Sequence, residues 1–198
     1  MATTATPWGG GQANKLYLQS GQFSATMKTS LDVSGIGTSL RGMDWDGTNS
    51  PWNSQAAGKL FVQSGQFSAT IKTSYDHTGT NLHNRGVSWD GTNSPWTGQT
   101  TSHLYLQSGQ FSATLKTSLE VESVEDNVCE ISWDGTNTPW AGETDNKLYV
   151  ASGQFSITLK ASIDMTAIDG NPYGISWDGT NTPWTGMADD KLYLQSGQ

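Results

Sequence analysis

Between residues 111 and 116 the chain alternates without a slip. Phe111, Ala113 and Leu115 are apolar, and Ser112, Thr114 and Lys116 are polar. A period of two sends the two sets to opposite faces of a β-strand. Three more stretches of the same neighbourhood read the same way. "VSWDG" puts Val87 and Trp89 on one face and Ser88 on the other. "SPWTG" is a short strand whose Pro95 stands at its start, where a missing N–H is tolerated. "HLYLQSG" puts Leu104 and Leu106 together and Tyr105 opposite. Asp-Gly separates the first two stretches and Ser-Gly-Gln the last two, both strong turn signals. The pattern predicts four short antiparallel strands joined in part by two constant turns.

The unit recurs. "WDGTNSPW" begins at Trp45 and Trp89, and "WDGTNTPW" at Trp133 and Trp177, each 44 residues after the last. Four-stranded units of 40 to 50 residues are the mark of a β-propeller blade. A β-solenoid also repeats, but its rungs are shorter and need no paired turns. The expected fold is therefore all-β, a β-propeller of four-stranded antiparallel blades. It forms a single domain over residues 1–198, with repeats starting near 1, 45, 89, 133 and 177 and the first and last incomplete. The strands number eighteen, or 4.5 repeats, and five blades closing within one chain is the first expectation. "ATTAT" at Ala2 to Thr6 has enough Thr to stand in as a strand. Closure between chains is the alternative, because an open β edge invites association.

Composition and charge narrow the function. Hydrophobic residues make up 34% of the 198 and charged residues 14%, which suits strands and turns rather than helices. The net charge of −8 lacks the footprint of a nucleic-acid binder. No apolar run approaches the ~20 residues of a membrane helix. The N-terminal stretch lacks the pattern of a signal peptide. Cytoplasmic synthesis fits, with export by another route or assembly into a virus particle left open, so no localisation is assigned. Cys129 is the only cysteine, which excludes an intrachain disulfide. Eight of the ten basic residues are Lys at two repeat positions, while most acids fall in stretches that differ between copies.

The motif Gly-(Ile/Val)-Ser-Trp-Asp-Gly-Thr-Asn, followed by Lys-Leu-Tyr and a Thr-Ile-Lys strand, resembles repeats of bacterial and phage propeller proteins. Those usually read "GLxWDGTNL…DKIY…". The resemblance covers nearly the whole chain and implies the propeller fold. It implies little about function, because one fold serves many. The chain departs from the pattern by carrying Pro-Trp where the second strand is usually aliphatic. Tachylectin-type propellers are similar in architecture and repeat length, and their likeness implies one sugar site per blade.

Candidate residues fall into three sets. Trp45, Asp46, Trp89, Asp90, Trp133, Asp134, Trp177 and Asp178 are expected to be scaffold. The indoles would fill the space between blades, and each Asp would close its turn on the backbone amides ahead of it. The glycan-binding candidates pair Asn49 with Trp52, Asn93 with Trp96, Asn137 with Trp140 and Asn181 with Trp184. Exposed indoles beside each Asn would favour a lectin, and buried ones a pure scaffold. The partner-face candidates are Glu120, Glu122, Glu125, Asp126 and Glu130, on the face where the links differ between repeats. Loops on a rigid scaffold usually carry binding. These acids are expected to be solvated rather than a Ca²⁺ site, since calcium-loop spacing is missing. His77 and His83 are read as loop residues, His103 as a replacement for the framework Lys, and Cys129 as a small buried residue. No metal or other cofactor is expected. No nucleophile elbow or zinc-protease motif occurs, and equivalent WDG aspartates do not supply the two unlike carboxylates of a glycosidase. The expected function is a non-enzymatic structural or interaction propeller. It would dock on other protein chains, in a virion appendage or cell-surface assembly, with self-association through incomplete terminal blades or glycan binding as further partners.

Overall fold

The computed structural model describes residues 5–10, 14–20, 27–65, 68, 70–81, 83–109, 112, 114–154, 156, 158–177, 180–189 and 191–197. Eighteen strands form five antiparallel sheets in a propeller arrangement. The first sheet holds β1 (Ala5–Gly10), β2 (Lys15–Ser20) and β3 (Met27–Asp32). The second holds β4 (Leu40–Met43), β5 (Asn49–Ser54), β6 (Lys59–Ser64) and β7 (Ile71–Asp76). The third holds β8 (Asn84–Val87), β9 (Asn93–Gly98), β10 (His103–Ser108) and β11 (Leu115–Glu120). The fourth holds β12 (Val128–Ile131), β13 (Asn137–Gly142), β14 (Lys147–Ser152) and β15 (Leu159–Asp164). The fifth holds β16 (Pro172–Ile175), β17 (Asn181–Gly186) and β18 (Lys191–Ser196). Three sheets are thus complete four-stranded blades, and the first and last have three strands each among the described residues. Of the Ala2 to Thr6 stretch, Ala5 and Thr6 open β1, which is the second strand of its unit, and the remainder lies outside the described residues.

The short inner strands β4, β8, β12 and β16 pack against one another in sequence around the axis. Each also meets the second strand of the preceding sheet, as β8 meets β5 and β12 meets β9. The strands differ from the sequence reading in two places. The inner strand of the third blade ends at Val87, two residues before Trp89, because Ser88 N bonds Pro95 O and Asp90 N bonds Asn93 O to begin the turn. The outer strand runs from Leu115 to Glu120 after a register shift opposite Leu106 and Gln107. Phe111 and Ala113 lie outside the described residues, and Leu115 is exposed rather than turned inward.

The core consists of clusters wedged between successive sheets, as a propeller requires. Trp52 and Phe61 pack on Leu16 of the sheet before them, and Trp96 and Tyr105 on Leu60 and Val62. Trp140 and Tyr149 pack on Leu104, and Trp184 on Leu148 and Ala141. The indoles of Trp52, Trp96, Trp140 and Trp184 lie flat on the aromatic ring across the strand pair, at centroid separations of 4.4, 4.1, 4.1 and 4.2 Å. These rings are the wedge. The WDG indoles Trp45, Trp89, Trp133 and Trp177 are only half-buried, because the inner strand has ended before it reaches them. The Pro-Trp rings Trp52, Trp96, Trp140 and Trp184 stand in the clusters between sheets.

Candidate functional site: the axial mouth

Two faces of the propeller are built from the same backbone rules and differ in what their side chains are doing. On the repeated face, each turn bonds to itself. Asp46 Oδ1 accepts from Thr48 N at 2.7 Å and from Asn49 N, and Asp46 Oδ2 accepts from Asn49 Nδ2 at 3.0 Å. Asp90 with Thr92 and Asn93, and Asp134 with Thr136 and Asn137, repeat the arrangement. Gly47, Gly91 and Gly135 take φ of 93°, 94° and 94°, a conformation that disfavours any side chain. Lysines of the outer strands close the system. Lys72, Lys116 and Lys160 each donate to the Asn Oδ1 of their own blade at 3.1 Å. Asp178 lies outside the described residues.

At these positions three of the Asn amides are engaged, and the indoles, whose N–H groups at Trp52, Trp96 and Trp140 lack a partner, are covered. Asn49, Asn93 and Asn137 give their amide to Asp and receive Lys on their carbonyl, and all three are buried. Trp52, Trp96, Trp140 and Trp184 are at most 2% exposed. Asn181 is half-buried. A sugar needs an open aromatic face beside hydrogen-bonding groups, and at these rings the face is covered by the neighbouring blade.

On the other face, the links between blades differ in sequence and share a backbone. Val33, His77, Val121 and Met165 occupy one repeat position, and each N–H bonds the carbonyl of a left-handed or glycine residue: Asn14, Gly58, Ser102 or Asn146. His77 lies in the link between β7 and β8, as the loop reading has it, but is not exposed there. It is fully buried in place of an aliphatic side chain, bonded through Nδ1 to Asn81 O at 2.6 Å and set against Trp96. Burial holds its pKa below the usual histidine value. His83 is exposed and near Thr100 Oγ1, and His103 is half-buried.

The five partner-face acids split. Glu120, Glu122 and Asp126 are exposed, but Glu125 and Glu130 are 3% and 8% exposed. Glu125 accepts from the backbone N–H of Asn127, Thr144 and Asp145 at 2.8, 3.2 and 3.2 Å, tying its link to the next one. Burial and the neighbouring Asp145 carboxyl push its pKa up to about 7. Burial alone would raise Asp145 too, but bonds with Glu125, Tyr149 and Lys147 outweigh it and hold Asp145 low. Asp169 makes the equivalent bonds to Asn171, Ala188 and Asp189 one blade later. Glu130 lies on β12, inside the axis, where its Oε1 accepts from Val87 N at 2.9 Å. A Cβ on Gly42 or Gly86 would approach that oxygen to 2.7 Å, so these glycines make its room. Burial raises its pKa well above the ordinary range, with Asp44 adding repulsion. Asp44 is likewise raised by burial, against hydrogen bonds from Ser88 Oγ and Trp89 N at 2.9 and 2.7 Å.

Above these acids the inner strands place one more position at the axis: Arg41, Arg85, Cys129 and Tyr173, spaced by 44 residues. The sequence reading missed this set, although the signal was present as a repeat position where no two neighbours agree in chemistry except the arginines. Both guanidinium groups lie over the Tyr173 ring, Arg41 at 5.5 Å and Arg85 at 5.1 Å. Arg85 also bonds Gln99 Oε1 at 2.7 Å, Glu143 Oε2 at 2.7 Å and Cys129 Sγ at 3.2 Å. Burial drives the Cys129 thiol far above its usual pKa, so it stays protonated. Beside these arginines, reached through their partners Gln55 and Gln99, lies an open basin of about 480 Å³, the mouth. Gln55, His83, Gln99, Thr100, Asp126, Asn127 and Thr144 line it. Among the described residues no group of three or more His, Cys, Asp or Glu side chains is placed to hold a metal ion. Among them, too, no helix is long and apolar enough to cross a membrane.

The fold is that of known propellers. Along its full length the chain is similar to a structure of Myxococcus xanthus glutaminyl cyclase, with a TM-score of 0.65, 13% identity and 97% of that chain covered. It is similar to the WD40 β-propeller domain of Doa1, with a TM-score of 0.64, 11% identity, all of this chain and 62% of that one covered. A chain of the mitotic checkpoint complex matches with a TM-score of 0.62 at 15% identity; this protein is covered completely and spans 62% of that chain. No protein-family model and no curated protein sequence matches the chain.

Proposed function

We propose that the protein is a non-enzymatic interaction propeller that docks on another protein chain through the axial mouth. One observation carries this reading. The repeated face is closed on itself in each described turn, while the mouth gathers unlike side chains from successive blades into one open basin. A partner without rotational symmetry needs a site of that kind. Equivalent turns offer it only copies of one weak contact. Structures named for the mitotic checkpoint complex and for the nidogen/laminin complex share the fold, which is consistent with docking on proteins. Glutaminyl cyclase and streptogramin B lyase share it too, so the fold does not decide the matter. The site does more to favour docking: its one free thiol is buried and protonated, and its acids are held by backbone amides (Glu125), by Arg85 (Glu143) or by Lys147 and Tyr149 (Asp145), or stand exposed (Asp126). The setting we propose is an extended assembly such as a virion appendage or cell surface, on the style of the repeat.

The test is affinity isolation of the protein with its partner from native cells. Replacing His83, Thr100 and Asp126 by Ala is expected to lose the partner with the melt unchanged. Replacing Thr48, Thr92 and Thr136 by Ala on the repeated face is expected to keep it. The opposite pattern would overturn the reading.

A further inference from the structure

We infer that the axial mouth holds a carboxylate, carried on a side chain of the docked protein, at Arg41. This deepens the docking reading and rests on it. Arg85 shows what the site does with a guanidinium. It takes a carboxylate from the next blade, Glu143, at 2.7 Å. The residue in the same relation to Arg41 is 44 positions earlier, Gln99, which is neutral and is already engaged by Arg85 Nε. Arg41 bonds Gln55 Oε1 through Nε at 3.0 Å and rests over Tyr173. Among the described residues no carboxylate lies within ion-pair distance of it. The repeat has supplied the same cation twice and its counter-ion once.

A second observation points the same way. The Tyr173 hydroxyl is buried without a hydrogen-bond partner, on the ring that both guanidinium groups share. A buried donor left unpaired is costly, and an acceptor brought to the ring would satisfy it. A guanidinium fork suits a planar two-oxygen acceptor. The charge balance selects a carboxylate over a phosphate. One cation without an ion-pair partner among the described residues stands beside the basin, since Arg41 bonds Gln55 of its lining. A monoanion matches that balance and a dianion exceeds it.

The experiment titrates the protein with two isosteric probes, N-acetylglutamate α-amide and N-acetylglutamine α-amide, following the Arg41 Nε–Hε resonance by NMR. The carboxylate probe is expected to give a saturable shift and the carboxamide none. Arg41→Gln should weaken binding about tenfold or more. Arg41→Lys should recover only part of it, since the charge remains without the fork. Tyr173→Phe, which removes the hydroxyl alone, should weaken binding with the melt intact. Equal shifts from both probes, or a shift undiminished in Arg41→Gln, would overturn the inference. A neutral-flanked peptide bearing one Glu should bind more tightly than the free probe; equal affinity would overturn the partner-protein source. Partner isolation keeps the two readings apart. Retained partner in Arg41→Gln with loss in the His83, Thr100 and Asp126 variant would sink the carboxylate and leave the docking reading standing.

Discussion

The repeated face and the axial mouth are made by one repeat and have opposite uses for polar groups. At Asp46, Asn49 and Lys72 each side chain is consumed by its neighbour, and the same closed set returns at Asp90, Asn93 and Lys116. At Arg41 and Arg85 the same repeat position has one satisfied member and one unsatisfied member. A polar group that recurs with all its partners is scaffold. A polar group that recurs while its partner does not is the place to look for a ligand.

The largest expected effect lies under both faces. Trp96→Ala removes a ring that is 0% exposed and stacked on Tyr105, and should cost about 3–5 kcal/mol. Trp89→Ala, at a half-buried ring, should cost about 1 kcal/mol. Chemical denaturation of the two variants checks the order; equal losses would mean the WDG ring shares the wedge.

The next effect separates the buried acids of the axis from the turn acids. Glu130 and Glu125 have folded-state pKa values above their unfolded ones, so the folded chain keeps protons that the unfolded chain releases. Their stabilising contribution is full below about pH 4.5 and declines as pH rises, for Glu125 through about 7. The melting temperature should therefore be higher at pH 5 than at pH 8. Glu130→Gln should raise it at pH 8 and flatten the slope between. A slope unchanged by that substitution would show that Glu130 ionises freely in the folded chain.

A smaller effect is expected on the repeated face itself. Asp90→Ala opens one turn and frees the backbone N–H and side-chain amide of Asn93, at about 1–2 kcal/mol. It should leave partner binding intact. Partner loss with an unchanged melt would move the docking surface to this face.

Much of this was legible in the chain. Four strands per unit, the two constant turns and the propeller follow from alternation and period, because strand and turn chemistry is local. The Asp-Gly-Thr-Asn turn was readable for the same reason. What escaped was everything set by distance from the axis. Val87 and Trp89 share a strand-like alternation, but the strand stops between them, so which tryptophan wedges the blades depends on a boundary the pattern does not mark. Glu125 and His77 look like loop residues and are buried, because the variable links keep a constant backbone that turns those positions inward, while Glu130 is buried on the inner strand β12. Exchanging the whole stretch from Leu119 to Glu130 would therefore disturb the fold as well as the surface, since it spans the end of β11 and most of β12. The axial ring of Arg41, Arg85, Cys129 and Tyr173 was visible only as dissimilar letters at one repeat position, and needed the inner strands placed around the axis to become a site.

The contrast between the faces is tested most directly by hydrogen–deuterium exchange on the chain, alone and in the assembly with which it is isolated. Docking at the mouth predicts slowed exchange at residues 99–101, 126–128 and 143–145, with residues 46–49, 90–93 and 134–137 unchanged. Slowed exchange confined to those repeated turns, with the mouth unaltered, would contradict it.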